Sequence, residues 1–481
     1  MLFNSLSFAI FFPIVFVVYW ILGKKSYKWQ NVFLLAASYY FYGCWDWRFV
    51  FLLAFSTALD YYSGLKIYEA SGKSLKKLWL IISVGINLGF LGFFKYYNFF
   101  IDSFAHLLQN IGFEPHYATL NIVLPVGISF YTFHGLSYVF DIYNNRIKPT
   151  RNIVDYTLFV SFFPLLVAGP IERATHLLPQ IKRKRVFSYE KVTDGMRQIL
   201  WGLFKKMVVA DNCAIYANQI FANYETASGS ELVLGTVFFT FQIYGDFSGY
   251  SDIALGTARM LGFDLLKNFN FPYFSRDIAE FWRRWHISLS SWFKDYLYIP
   301  LGGSRGGNWM RIRNTFIIFL VSGFWHGANW TFIVWGGLNA LFIMPSIILK
   351  TNRKNMDIVA KGRIFPNVKE GFQIAITFGL AAFSWIFFRA ETVSDAFKYI
   401  ANIFSTSIFQ FPGLNKAAMA TLILIAFMVI VEWLGRENNY GIEKTFMKQP
   451  RLLRWSFYAF IILLIGLFMQ THESPFIYFQ F

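Results

Sequence analysis

Long runs of nearly uncharged residues recur along the whole chain, and they constrain its fold more than any other feature. Residues 7–22, 78–94 and 332–349 each have about the length needed to cross a hydrocarbon core roughly 30 Å thick. Of the 481 residues, 56% are hydrophobic, which is more apolar surface than a soluble protein of this length can bury. Because a membrane span must satisfy its backbone hydrogen bonds internally, we predict an all-α, multi-pass membrane protein.

Short basic segments separate the apolar runs and set the predicted topology. The formal net charge is +17, and basic loops tend to stay on the cytoplasmic side of a membrane. Lys24 and Lys25 follow the first run, so we predict that the amino terminus faces away from the cytoplasm. That run has no basic leader and no small-residue cleavage site, so it reads as a retained span and not as a signal peptide. No basic segment carries a nucleic-acid motif, which argues against a nucleic-acid partner.

We count about eleven spans, with re-entrant pieces, in one membrane domain over residues 1–481. Residues 154–170 do not fit simple alternation, because basic segments at 146–151 and 182–185 flank them on both sides. Pro164 and the Gly169-Pro170 pair break a helix there. We therefore predict either a re-entrant segment or two hidden runs. Irregular backbone at membrane depth occurs only where protein buries it or where it lines a water-filled cavity. This segment therefore also predicts a cavity that opens from the cytoplasm.

A polar island at residues 322–335, SGFWHGANWTFIVW, interrupts the apolar sequence around it. If the preceding segment is helical, His326 lies 13 residues beyond Arg313, or roughly 20 Å deep at ~1.5 Å per residue. An imidazole at that depth needs hydrogen bonds or a wet cavity, so His326 is a functional candidate. The alternative is a histidine that only bridges neighbouring helices. The small and amide residues around it, which favour a ligand site, are Gly323, Gly327, Ala328 and Asn329.

Residues 281–293, FWRRWHISLSSWF, predict a short amphipathic helix. On such a helix His286 would share a row with the aromatic residues, while Arg284 would share the opposite row with serines. The members of the first row would be Trp282, His286, Leu289 and Phe293. A functional interpretation makes His286 line a substrate route, with Arg283 and Arg284 at its cytoplasmic mouth. The alternative is an interfacial helix with a packed histidine and arginines that extend to the headgroups.

Two carboxylates, Asp246 and Asp252, stand in an otherwise apolar predicted helix. Buried carboxylates need partners, and we expect Arg276, Arg283 and Arg284 to supply them. Structural ion pairs are favoured over a catalytic role. Because the aspartates are six residues apart, and not four, a helical metal-ligand pair is disfavoured, and we predict no metal.

Other polar residues have mainly structural interpretations. Glu172 and Arg173 are expected to form an interface pair, and His134 to be a hydrogen-bonded histidine inside the membrane domain. Cys44 and Cys213 are far apart, so neither a disulfide framework nor a thiol metal site is predicted.

Four segments in chain order resemble the membrane-bound O-acyltransferase (MBOAT) superfamily, and most closely its bacterial alginate O-acetylation branch. They read AGPIER (168–173), QIYGDFSGYSDIALG (242–256), NFPYFSRDIAEFWRRWHISLSSWFKDYLYIPLGG (270–303) and SGFWHGANWTFIVWG (322–336). The resemblance is dense over about residues 124–341, which makes 1–123 and 342–481 flanking spans. It implies a ring of helices and re-entrant segments around a funnel or tunnel, in the cytoplasmic (inner) membrane.

The resemblance also assigns roles. It implies that His326 is the catalytic histidine and His286 a second histidine of this branch. It implies no bound cofactor, but an acyl thioester such as acetyl-CoA as donor from the cytoplasm. The acceptor would be an extracytoplasmic polysaccharide hydroxyl or a partner transferase. Membrane lipids would surround the protein. The carboxyl-terminal FIYFQF (476–481) resembles the tail that this branch uses to contact its partner.

A histidine with a reference pKa of ~6.5 can take the proton of an attacking hydroxyl near neutral pH, which makes His326 the predicted base. Asn329 or Trp330 could place the ring or the oxyanion. The remaining predicted substrate contacts are Trp325, Trp282, Arg283 and Arg284, and the cations expected at the mouth lie at 182–185, 283–284 and 305–313. Two alternatives stay open at this point: D-alanyl or other acyl transfer to teichoic acid or lipid, and a transporter that uses buried histidines as a proton relay.

Overall fold

The computed structural model describes residues 1–115, 119–166, 169–447, 449–470 and 476–479. Throughout these residues, the regular secondary structure is helical, which confirms the predicted all-α class. The chain divides into two compact units, residues 1–189 with 258–266, and residues 190–257 with 267–481.

The first unit contains nine α-helices among its described residues, and a π-helical segment, Gly92–Tyr96, joins the fourth to the fifth. They are α1 Leu6–Gly23, α2 Tyr27–Gly43, α3 Arg48–Glu69, α4 Lys73–Leu91, α5 Tyr97–Asn110, α6 Ile128–Tyr143, α7 Ile153–Ser161, α8 Phe163–Leu166 and α9 Ala174–Ile181.

The second unit contains most of α10 and α12 and all of the later helices. They are α10 Tyr189–Leu203, α11 Asp211–Ala222, α12 Gly229–Met260, α13 Ile278–Arg284, α14 Ile287–Phe293, α15 Gly307–His326, α16 Trp330–Ile348, α17 Val368–Arg389, α18 Val393–Ile403, α19 Lys416–Gly435 and α20 Arg451–Phe468. Short π-helical and 3-10 segments are Phe204–Ala210, Pro272–Phe274, Lys294–Tyr298, Thr406–Phe409 and Ile477–Phe479.

Six helical stretches of the described chain are long and apolar enough to cross a membrane. They are Leu6–Gly23, Lys73–Asn110, Trp330–Ile348, Val368–Arg389, Lys416–Gly435 and Arg451–Phe468. The protein is therefore a multi-pass membrane protein. Helices α2 and α6, with 17 and 16 residues, are slightly shorter than the shortest of these six stretches, which have 18. The count of about eleven spans, the ring around a funnel and the orientation of the amino terminus stay predictions.

Residues 153–166 do not form one spanning helix. Helix α7 has nine residues and α8 has four, and Phe162 between them has ψ 113°, outside the helical range. Pro164 is the second residue of α8. The N–H groups of the first turn have no partner within a helix, so a proline at this position breaks no hydrogen bond. The interruption agrees with the helix break expected from the sequence; residues 167–168 of the predicted re-entrant segment lie outside the described residues.

The basic segment 182–185 was predicted to offer cations at a cytoplasmic mouth, and for Arg185 this is wrong. Its side chain is buried, with the residue 4% exposed. The guanidinium donates to Tyr19 Oη at 2.8 Å, to Asn31 Oδ1 at 2.6 Å and to the Ile181 carbonyl at 2.8 Å. Buried guanidinium groups need such partners, so Arg185 joins elements of the first unit and does not face a ligand.

Helices α15 and α16 form a hairpin whose backbones approach closely through glycines. A Cβ atom on Gly323 would lie 2.2 Å from the Phe332 carbonyl oxygen, and one on Gly336 would lie 2.3 Å from the Phe319 carbonyl oxygen. No side chain larger than hydrogen fits at such distances. The hairpin therefore fixes the turn at residues 327–329, which follows His326 directly.

Gly336→Ala is expected to destabilise the protein by about 1–3 kcal/mol, because the new methyl group forces α15 and α16 apart. The adjacent Gly337 is a matched control, since its Cβ would meet only a Leu320 side-chain carbon at 3.7 Å. Thermal unfolding in detergent should show a lower midpoint for Gly336→Ala than for Gly337→Ala. Equal midpoints would show that the close approach of the two helices has no energetic weight.

Candidate active site

His326 is the last residue of α15 and is 6% exposed. Three aromatic rings surround its imidazole. Trp335 on α16 lies edge-to-face at 5.2 Å between ring centroids, Phe388 on α17 at 5.5 Å, and Tyr478 near the carboxyl terminus at 5.6 Å. Gly327 then leaves the helix in an extended conformation. The three rings pack around the imidazole and account for its low exposure to solvent.

His286 lies at a break between two helices, which corrects the predicted continuous helix over residues 281–293. Helix α13 ends at Arg284, Trp285 is extended, and His286 adopts φ 43°, ψ 54° in the left-handed region before α14 begins at Ile287. The predicted row that joined Trp282, His286, Leu289 and Phe293 is therefore wrong. A left-handed non-glycine residue costs energy, and such residues concentrate at functional sites.

Asn268 holds this break in place. Its carbonyl accepts from the Ile287 N–H at 2.9 Å, and its side-chain Oδ1 lies 2.9 Å from both His286 Nδ1 and Ser288 Oγ. The Asn268 Nδ2 points instead to Ser251 Oγ at 3.2 Å. Because Oδ1 can only accept, His286 Nδ1 carries the hydrogen, and Nε2 is left as the acceptor in the neutral ring.

Phe247 and Tyr478 connect the surroundings of the two histidines. The Phe247 ring lies 4.7 Å from the His286 ring and 4.5 Å from the Tyr478 ring. Tyr478 in turn contacts His326, at 5.6 Å between ring centroids. The structure thus brings together the two histidines that the sequence separates by forty residues.

A cavity of about 380 Å³ lies beside the turn that follows His326. It is lined by Gln242, Ala328, Asn329, Thr331, Phe332, Phe388, Arg389, Ala390, Glu391 and Ile477. Phe388 also packs on the His326 ring, and Ile477 precedes Tyr478 in the chain. The imidazole is therefore buried but lies next to an opening with amide, hydroxyl and charged groups on its wall.

The other residues predicted near the substrate have varied positions. Asn329 caps α16 by accepting from the Thr331 N–H at 3.0 Å and donates to the Glu391 carbonyl at 2.8 Å, so both ends of its amide bind protein. Trp282 packs on Trp335 at 5.7 Å. Trp330 is 56% exposed, and Trp325 lies on α15 next to His326.

Arg283 and Arg284 bind a neighbouring loop. Arg283 donates to the carbonyls of Asn352 and Asn355 at 2.6 and 2.7 Å. Arg284 donates to Glu280 Oε1 at 2.7 Å and to the Asp357 carbonyl at 3.1 Å. These donors are occupied by protein groups, so the geometry favours a structural role over the predicted contact with a donor substrate.

Asp246 and Asp252 form ion pairs, but with lysines and not with the arginines we expected. Lys206 Nζ lies 2.7 Å from Asp246 Oδ1, and Lys205 Nζ lies 2.7 Å from Asp252 Oδ2. Both lysines belong to the π-helical segment Phe204–Ala210 and are buried, with 1% and 3% of the residue exposed. The π-helical segment thus places two consecutive lysines against α12, each beside one of its aspartates.

Glu172 and His134 lie together in the first unit. The Glu172 N–H donates to His134 Nε2 at 3.1 Å, and its carboxylate accepts from the Leu266 N–H at 2.6 Å and pairs with His176 at 2.8 Å. Arg173 donates to the Ile171 carbonyl at 3.3 Å. In the described part of the chain, no three histidine, cysteine, aspartate or glutamate side chains are grouped closely enough to hold a metal ion.

Sequence reasoning missed three residues of this site. Asn268, Phe247 and Tyr478 all contact a candidate histidine or its neighbour; Phe247 and Tyr478 lie in segments that resemble the family, but no pattern singled out any of the three side chains. Only the resemblance of the carboxyl-terminal tail pointed towards Tyr478, and it suggested an external partner; residues 480–481 of that tail lie outside the described residues.

Comparison with known proteins gives a consistent picture. The membrane-bound O-acyltransferase family model matches residues 144–388, which include both histidines. The chain is 36% identical to a probable alginate O-acetylase of Pseudomonas putida over all of both chains, and 35% identical to the peptidoglycan O-acetyltransferase of Helicobacter pylori over 93% of this chain and 86% of that one. It is 27% identical to the teichoic acid D-alanyltransferase of Bacillus subtilis over 48% of this chain and 60% of that one. The chain therefore belongs to the membrane-bound O-acyltransferase family, and it is an acyltransferase.

Proposed function

We propose that this enzyme transfers an acetyl group from a cytoplasmic thioester, acetyl-CoA, to a hydroxyl on an extracytoplasmic polysaccharide or on a partner transferase, at the cytoplasmic (inner) membrane. The observation that carries the proposal is the position of His326, at the end of α15, restrained by three rings and next to a polar cavity. Support for acetyl over D-alanyl comes from the relatives, because the two O-acetylating ones match nearly the whole chain and the D-alanylating one matches about half.

In the proposed reaction, His326 removes the proton of the acceptor hydroxyl as its oxygen attacks the thioester carbonyl. The tetrahedral intermediate then expels the thiolate, which takes up a proton, and an oxygen ester is left on the acceptor. Positive charge develops on the imidazole during the attack, and it does so at the carboxyl end of α15. The negative end of a helix dipole stabilises such a charge by about 0.3–1 kcal/mol at exposed sites and more where water is excluded.

The helix directions suggest which side of the membrane the cavity faces. Helix α15 carries Arg311 and Arg313 in its first two turns and ends at the cavity, and α17 starts at the end of the basic segment 353–369 and ends at the cavity with Arg389. If basic segments stay cytoplasmic, the cavity faces outwards. We therefore assign it to the acceptor, whose hydroxyls would meet Gln242, Thr331 and Glu391. The thioester would reach His326 from the opposite side.

A cell-level experiment tests the donor group and the acceptor together. Cells that lack the gene are complemented with wild type or His326→Ala, and ester-linked groups on exopolysaccharide, peptidoglycan and lipid fractions are identified by mass spectrometry before and after mild base. We expect acetyl esters on a glycan with wild type only. D-alanyl esters, or esters confined to lipid, would refute the proposed donor or acceptor.

His286→Asn is expected to lower the turnover number by about tenfold to a hundredfold with a smaller change in KM, because a group that acts in the transition state is lost. Asparagine tolerates the left-handed backbone at this position, so the break between α13 and α14 should persist. Acetyl transfer from labelled acetyl-CoA by the purified protein in nanodiscs measures the effect. His106→Asn, on the exposed side of α5, is the control. Turnover at the wild-type rate would remove His286 from the reaction.

A further inference from the structure

The segment at residues 476–479 packs directly onto the candidate active site. Phe476 and Ile477 are 0% and 3% exposed, and Phe476 stacks on Tyr478 at 5.3 Å and packs on Tyr250 at 4.8 Å. These contacts present the Tyr478 ring to His326 on one side and to Phe247 on the other. Anything that moves this segment therefore changes the surroundings of the imidazole.

One polar contact ties the segment to α12. The Ile477 N–H donates to Asp246 Oδ2 at 2.6 Å, across 231 residues of sequence. The other oxygen, Asp246 Oδ1, lies 2.7 Å from Lys206 Nζ, and Lys206 also pairs with Asp211 at 2.8 Å. Asp246 is 3% exposed, so its hydrogen bonds form in a water-poor environment, where a bond from an N–H to a carboxylate is stronger than a neutral one.

Asp252 provides an internal comparison on the same helix. It is also held by a lysine, Lys205 at 2.7 Å, and it accepts from Gln198 Nε2 at 2.8 Å. In the described part of the chain, these partners come from α10 and the π-helical segment, and not from residues 476–479. Each aspartate is paired with a lysine, but Asp246 accepts from the Ile477 N–H where Asp252 accepts from Gln198.

We propose that Asp246 is a positioning residue for acyl transfer, whose carboxylate holds the Ile477 N–H and so keeps the Tyr478 ring against His326. The proposal rests on the proposed role of His326 in acyl transfer. In this role Asp246 does more than stabilise the fold through its ion pair with Lys206, because its carboxylate also affects the reaction through residues 476–479. Lys206 keeps Asp211 as a partner when Asp246 is replaced, so the variant retains a paired lysine.

The first measurement does not depend on activity. The full-length protein in nanodiscs is treated with carboxypeptidase, and release of the carboxyl-terminal residues is followed by mass spectrometry. Asp246→Ala should accelerate release by roughly tenfold to a hundredfold, the effect of losing one hydrogen bond to a charged group. Asp246→Asn keeps an oxygen acceptor for the Ile477 N–H and should restore much of the protection, whereas Asp252→Ala should digest like wild type.

The second measurement is acetyl transfer in a double-mutant cycle. Asp246→Ala and Tyr478→Ala should each lower turnover, and the double variant should be no slower than Tyr478→Ala, because both act through one contact. Asp252→Ala combined with Tyr478→Ala should give independent effects. Release at the wild-type rate in Asp246→Ala, or independent effects of Asp246→Ala and Tyr478→Ala, would overturn the proposal. Absence of transfer in wild type would refute the proposed function. The carboxypeptidase result would still show whether the hydrogen bond between Asp246 and the Ile477 N–H holds the segment.

Discussion

His326→Ala is expected to lower acyl transfer by about a hundredfold to ten-thousandfold, the range by which a positioned general base contributes to rate. Among the described residues, His326 is the only histidine that both precedes the turn lining the cavity and packs against Tyr478, and the change removes its imidazole. We expect the protein still to fold, because Trp335, Phe388 and Phe332 continue to pack on one another around the site. Transfer of labelled acetyl groups by purified protein in nanodiscs is the measurement.

Two controls separate chemistry from structure in this variant. His106→Ala makes the same chemical change on the exposed side of α5 and should leave transfer unaltered. Added imidazole should restore part of the activity of His326→Ala, because a small base can enter the space that the side chain leaves beside the cavity. Wild-type turnover in His326→Ala would remove this residue from the reaction and leave it a role in packing alone.

Glu280→Ala should produce the largest loss of stability, about 3–5 kcal/mol, because it leaves two buried guanidinium groups without their main counter-charge. Glu280 is 1% exposed and accepts from Arg276 Nε at 3.1 Å and from Arg284 Nη2 at 2.7 Å. It also accepts from the Arg276 N–H at 2.8 Å. Arg284 directly precedes the Trp285–His286 break, so transfer should fall together with stability.

Asp357→Asn is the matched control for this prediction. Its side chain is 67% exposed and pairs with Arg276 at 2.9 Å; because water surrounds this carboxylate, the pair contributes only about 0–1 kcal/mol. Thermal unfolding of the two variants in detergent should therefore separate clearly, with Glu280→Ala several degrees lower. Similar midpoints would mean that the two buried arginines do not depend on Glu280.

The fold class and the first candidate residue followed from local features of the chain. Apolar runs of spanning length require helices in a membrane, whichever neighbours they have, and the described residues are all-α, with six helical stretches that can span. His326 stood out because a polar island in an apolar run is costly unless it serves a site. The helix that carries it, Gly307–His326, contains the helix predicted before the island.

The interpretation of residues 281–293 failed for a physical reason. Helical periodicity assigns faces only while the helix continues, and nothing within the segment signals the left-handed residue at His286. The break is held from outside by Asn268, whose carbonyl and side chain bond to Ile287 and His286. A tertiary contact therefore overrides the local helical preference, and the row of side chains predicted from spacing does not exist.

The amino-acid sequence by itself determined that this chain is a helical membrane protein with a histidine in a polar interruption, because both properties depend on hydrophobicity along neighbouring residues. Only the tertiary structure decided which charges pair and what surrounds that histidine. Lysines, and not arginines, meet Asp246 and Asp252, and Tyr478 reaches His326 through a segment tied to Asp246 across 231 residues. Such partners are chosen by the packing of distant helices, which maximises burial over the whole fold and leaves no local mark in the sequence.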